Sequence, residues 1–149
     1  MTLYAQWITV YHDWAAGFGG VLADPDPALD FDHGGVATGL EWVYGGDPSS
    51  IDDDTLIAPT IDDSNPQGLS FTFRRSAQAA ADPNTIISIV YSSNLLNWTQ
   101  AVADGATVFM TETENHFGTG IDRVEVFIDK DLFTGNQSFV RIQVDLLTP

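Results

Sequence analysis

LSFTFR, residues 69–74, sets Leu69, Phe71 and Phe73 against Ser70, Thr72 and Arg74. Strict alternation of this kind turns one face of an extended chain toward an apolar core and the other toward water, which is the pattern of a half-buried β-strand. The period returns downstream. TIISIVYSS (85–93) offers Ile87, Ile89 and Tyr91; DRVEVFID (122–129) offers Val124, Val126 and Ile128; SFVRIQVDL (138–146) offers Val140, Ile142, Val144 and Leu146. LIAPTI, NWTQAV and TVFMTET read as weaker strands, and DDSNPQG, AADPN, ADG, HFGTG and TGNQ supply the turns between them. Six or seven short strands over roughly ninety residues, with no helix between them, predict an antiparallel β-sandwich over residues 56–149.

Upstream of that region the period changes. ITVYHDWAAGF (8–18) places Val10, Tyr11, Trp14 and Phe18 at helical spacing, and Gly19-Gly20 stops it. ADPDPALDFD then breaks regular structure. VATGLEWVYGGDP (36–48) puts Val36, Leu40, Val43 and Tyr44 on one helical face and ends at Gly45-Gly46 with Pro48 beyond, although Gly39 weakens that helix from within. Residues 8–55 therefore read as a small helical, acid-rich cap packed with the sandwich as one domain. MTLYAQW at 1–7 is an isolated β-like segment, read as the remnant of a preceding repeat or linker.

The charge narrows the partners. Twenty-one acids against five bases give a net charge of −16, and residues 1–73 hold twelve of the acids with no Lys or Arg. No basic face for nucleic acid can be built from this chain. Crowded carboxylates without internal counter-charge repel one another unless a cation neutralises them. The absence of cysteine removes disulfides, thiolate metal sites and a cysteine nucleophile. No apolar run reaches membrane-spanning length and no signal peptide opens the chain, so the reading is a segment with no transmembrane helix, taken from a longer parent protein and monomeric.

DFDHGGVATGLE, residues 30–41, carries the chemistry. In an EF-hand-type loop, positions 1, 3 and 5 give side-chain oxygens, 6 is glycine, 7 gives a backbone carbonyl and 12 a bidentate glutamate. Asp30, Asp32, Gly35, Val36 and Glu41 meet that pattern, while Gly34 stands where a third oxygen ligand belongs. Asp24, Asp26 or Asp47 could supply the missing oxygen. Hard oxygen ligands favour calcium over zinc or copper. The second acidic group, Asp52-Asp53-Asp54 with Asp62-Asp63, lacks this spacing and reads as a solvated loop.

Taken together, these motifs resemble a family of C-terminal modules of large secreted or cell-surface bacterial proteins. Its motifs run approximately W-x-x-x-F-G-L, then D-x-D-G-D-G-x-x-N-x-x-E-Y, then G-x-D-P. Trp14, Phe18 and Gly19 match the first, Asp30, Asp32, Gly35 and Glu41 the dockerin-like loop, and Trp42, Gly45, Gly46, Asp47 and Pro48 the close. Residues 69–75, IVYSSNLLNWT around Trp98, and SFVRIQV match the later strands, so the resemblance covers about residues 10–146. Gly34 and Thr38 depart from it at loop positions 5 and 9. TLYAQW is similar to the end of an internalin-type B repeat. The resemblance implies export to the cell surface or medium, calcium as cofactor, and a non-catalytic structural or attachment role.

No HExxH, nucleophile elbow, P-loop or dinucleotide glycine pattern occurs, and the histidines are scattered, so the reading is a non-enzyme. The rival is a carbohydrate-binding module that stacks polysaccharide or a cell-envelope component on exposed aromatic rings. Phe117 and Phe133, in turn-rich segments, are its leading candidates. Phe109, Phe127 and Phe139 lie opposite the apolar stripes, whereas Trp14, Trp42 and Trp98 read as core.

Overall fold

The computed structural model describes residues 9–18 and 26–147, so MTLYAQW and Asp24 lie outside the described residues. The chain is mainly β. One sheet has four antiparallel strands in the order β1 (Thr60–Asp62), β2 (Gly68–Ser76), β6 (Ile121–Asp129), β5 (Val108–Thr113). The other has three, in the order β4 (Thr99–Gln100), β3 (Thr85–Ser92), β7 (Phe139–Leu146). The alternation read in LSFTFR holds: Leu69, Phe71 and Phe73 are buried and pair in register with Ile128, Val126 and Val124, which are also buried. Ile87, Ile89, Tyr91, Val140, Ile142 and Val144 close the core from the second sheet.

The cap shares that core, because Tyr11, Val36, Trp42, Val43, Tyr44 and Ile57 belong to the same buried cluster as the strands. It comprises α1 (Val10–Ala16), α2 (Thr38–Tyr44) and α3 (Asp54–Ile57). Thr9 caps α1 by accepting the His12 N–H. The first turn of α2 has no side-chain cap. Its free N–H groups go instead to the main chain: Thr38 N–H to the Leu29 carbonyl at 2.8 Å and Gly39 N–H to the Pro27 carbonyl at 2.9 Å. That docking accounts for Gly39, since a Cβ there would lie 2.8 Å from the Pro27 Cβ. Gly45, at φ 71°, ends the helix in the left-handed conformation. Tyr11, Trp14 and Trp42 stack in a cluster joining α1 to α2, and the Trp42 indole N–H donates to Thr85 Oγ1 at 3.0 Å, fixing α2 to the start of β3.

Two expectations are corrected here. A helix does interrupt the strands: α4 (Ala77–Ala81), an alanine-rich turn capped by Ser76 and too short to show a period. Trp98 is not core. It is half-buried on the outer face of the second sheet, with the Arg141 guanidinium 4.1 Å above its ring.

Candidate metal centre

The loop of residues 30–36 is built by its own backbone. Asp32 Oδ1 accepts the Gly34 N–H at 2.9 Å, and Asp30 Oδ2 accepts the Gly35 N–H at 3.0 Å. Gly35 holds φ 113°, a conformation that a side chain would strain. The loop runs directly into α2, whose rigid packing sets Glu41 at its buried face with no accessible surface.

The third partner comes from elsewhere. Asp54 is only 3 % exposed, and its Oδ2 accepts the Val36 N–H at 3.3 Å. Gly34 is what admits it: a Cβ at that position would lie 1.8 Å from Asp54 Oδ2 and 3.2 Å from Asp32 Oδ1. Asp53 joins from the same turn, its Oδ2 accepting the Asp47 N–H at 2.9 Å. Gly46 makes space on that side, where a Cβ would lie 3.4 Å from Asp53 Oδ2 and 3.3 Å from Glu41 Cβ.

The consequence is a repeated arrangement. Each of Asp30, Asp32, Asp53 and Asp54 has one oxygen anchored by a main-chain N–H and the other buried without a partner, and both oxygens of Glu41 are buried without a partner. Six carboxylate oxygens are thus removed from water with nothing to bond. Oxygens of Asp32, Glu41 and Asp54 lie within 4.8 Å of one another, a spacing in which a single ion can touch all three. Burial pushes the Glu41 carboxyl up to about 8, and Asp32, Asp54, Asp53 and Asp30 push it in the same direction. Asp54 is also raised, first by burial and then by Asp32, against the pull of the Val36 N–H. Buried acceptors with no donor are costly, and a cation among Asp32, Glu41 and Asp54 is a partner that would satisfy several of them at once.

Of the residues singled out from sequence, Asp30, Asp32 and Glu41 converge here, with Val36 donating its N–H into the cluster. Asp26 does not join: it is exposed and closes its own turn by accepting the Ala28 N–H at 2.9 Å. Asp47 likewise turns away, onto Ser49. The reading of residues 52–54 as a solvated loop is corrected, since Asp54 is buried and Asp53 has a buried oxygen. The signal was present as a vacancy. A glycine where the loop needs an oxygen leaves room for a carboxylate from outside, and Asp53-Asp54 precede a buried Ile57 that draws them inward. His33, at φ 65°, is exposed.

The aromatic candidates divide. Phe117 is 42 % and Phe109 44 % exposed, and Phe127 is half-buried beside Phe109, ring centroids 6.2 Å apart. Phe133 is corrected: it is buried against Tyr91, because the short helical turn at Lys130–Leu132 folds the segment back over the core. No described helix is long and apolar enough to cross a membrane. Comparisons with family models, with curated proteins and with solved structures return no match to this chain, so nothing there identifies the module family or the internalin repeat whose motifs it resembles.

Proposed function

We propose that this chain is a non-catalytic, calcium-stabilised accessory module of a secreted or cell-surface bacterial protein, with a structural or attachment role toward its parent. The observation that carries the reading is the set of six buried, partnerless carboxylate oxygens. Calcium takes six to eight oxygens at flexible geometry, often with one bidentate glutamate, whereas magnesium holds out for a tight octahedron and keeps several waters. In this reading Glu41 is the bidentate ligand, Asp30, Asp32 and Asp54 are monodentate, Asp53 completes the charge, and the Val36 carbonyl occupies loop position 7. The site is an EF-hand-type loop in which Asp54, across the space left by Gly34, takes the place of the residue-5 ligand. The ion ties residues 30–36, α2 and the turn before α3 together, so its binding energy appears as folding energy.

Thermal unfolding with calcium and with chelator, at matched ionic strength, tests this. Calcium at 100 times its dissociation constant stabilises a fold by about 2.7 kcal/mol, which should raise the midpoint by roughly 5–10 °C, and equal magnesium should do much less. An unchanged midpoint would remove the metal from the account.

A second reading, carbohydrate binding, is favoured by one observation. The outer face of the four-stranded sheet carries the exposed Phe109 beside Phe127, with the exposed Phe117 beyond its far end.

A further inference from the structure

We propose that the outer face of the four-stranded sheet binds an uncharged polysaccharide chain, with Arg74, Arg123, Glu125 and Asp62 holding its hydroxyls and Phe117 its ring face; this rests on the carbohydrate reading above and gives it a site. The register places the residues. Arg74 stands directly opposite Arg123, Thr72 is flanked by Thr60 and Glu125, and Ser70 is flanked by Asp62 and Phe127. They surround a depression of about 560 Å³, within the range of ligand sites, whose rim includes His116 and Phe117.

Two features of this face bear on a ligand. Like charges directly opposite across strands are destabilising, yet two of the chain's five bases are spent on such a pair. Arg74 Nε is buried without a hydrogen-bond partner, while the guanidinium lies 5.0 Å over the Phe117 ring. Arg123 reaches Glu125, which leaves Arg74 as a fork of donors beside the Phe117 ring.

Charge selects the class of ligand. The chain carries −16, so a polyanion is repelled at a distance. Within the depression two guanidiniums face two carboxylates, Asp62 and Glu125, so the local balance is zero and an uncharged ligand loses nothing by entering. Donors and acceptors side by side suit hydroxyls, which donate and accept at once. An exposed ring suits the apolar face of a sugar. Along β6 the distance from Arg123 to Phe127 is roughly 13 Å at strand rise, so the Phe109–Phe127 pair offers a second station for the same chain.

The experiment is affinity electrophoresis of the calcium-loaded protein through gels holding soluble β-glucan, xylan, mannan or galactan, with polygalacturonate as the charged control. Retardation by at least one neutral polymer, weakened tenfold or more in Arg74→Ala and in Phe117→Ala at unchanged thermal midpoint, is the expected result. Retardation that survives both substitutions but is lost in Phe139→Ala, at the opposite end of the sandwich, would overturn this site while leaving carbohydrate binding standing. Stronger retardation by polygalacturonate than by any neutral polymer would overturn the charge argument. No retardation in any gel would overturn both the site and the carbohydrate reading.

Discussion

The two halves of the molecule treat the same chemical group in opposite ways. In the sandwich, carboxylates have donors. Arg75 grips Glu112 with two hydrogen bonds of 2.7 and 2.8 Å and reaches Asp122 at 3.3 Å, and Arg123 pairs with Glu125. Asp104 takes the Thr107 hydroxyl and the N–H groups of Ala106, Thr107 and Val108, which hold its carboxyl well below the usual range. Glu112 is lowered too, chiefly by Arg75. In the cap, Glu41 and Asp54 are pushed upward. Every Lys and Arg of the chain lies at residue 74 or beyond, so the cap has no base of its own to offer. One half carries its counter-charges in the sequence; the other gathers buried carboxylates that could hold a metal ion.

The sharpest way to break that contrast is Glu41→Gln. With calcium in excess it removes the bidentate ligand and should forfeit most of the stabilisation, about 2.7 kcal/mol at 100 times the dissociation constant. In chelator at neutral pH the same change removes the cost of protonating a buried acid that is ionised when unfolded, so the midpoint should rise. Opposite signs in the two conditions, read by calorimetry, are what a metal site demands; a loss of equal size in both would mean Glu41 has only a packing role.

The pH dependence should divide along the same line. Folded and metal-free, Glu41 keeps its proton up to about pH 8, against about 4.5 when unexposed to its neighbours, so the folded state binds more protons across that window. Stability in chelator therefore falls as pH rises from about 4.5 through 8. With calcium bound the carboxylate is held ionised, and the calcium-induced rise in midpoint should grow over the same interval. A chelator series flat across this window would overturn the assignment of Glu41 as a buried, uncompensated acid.

A smaller effect is expected from Gly34→Ala. The added Cβ would displace Asp54, and a tenfold loss of calcium affinity, or about 1.4 kcal/mol, is the expected scale. Gly34→Asp should be similarly harmful alone but should recover calcium response when combined with Asp54→Ala, because the oxygen then comes from within the loop. Titration calorimetry on the four proteins measures the coupling; strict additivity would show that the two positions do not exchange roles.

How much of this could be read without coordinates follows from the length scale of each signal. The strands were legible because alternation is local, and β2 and β6 bury the residues their periods mark. That Asp32 and Glu41 belong to one acidic cluster was legible because both fall within twelve positions of one acidic loop. Asp54 was not, because it reaches the loop from 22 residues beyond Asp32, and its trace within the loop is only the glycine at position 34 that makes room for it. Phe133 failed for a related reason: polar neighbours imply exposure, but a short turn folds that ring onto Tyr91. α4 escaped because five residues are too few to display a helical period.

The sandwich side of the contrast gives the smallest effect. Arg75 is partly buried and bidentate to Glu112, but Glu112 is 46 % exposed, so water screens the pair and most of its Coulomb energy is lost. Arg75→Met keeps the apolar stem and removes the fork, and should cost no more than about 1 kcal/mol. The loss should be the same in calcium and in chelator, since the pair lies in the half that supplies its own cation. It should also shrink at high salt, where an exposed pair is screened further. If Arg75→Met instead weakened the calcium response measured by thermal unfolding, the two halves would be energetically coupled, and the division between internal and borrowed counter-charge would not hold.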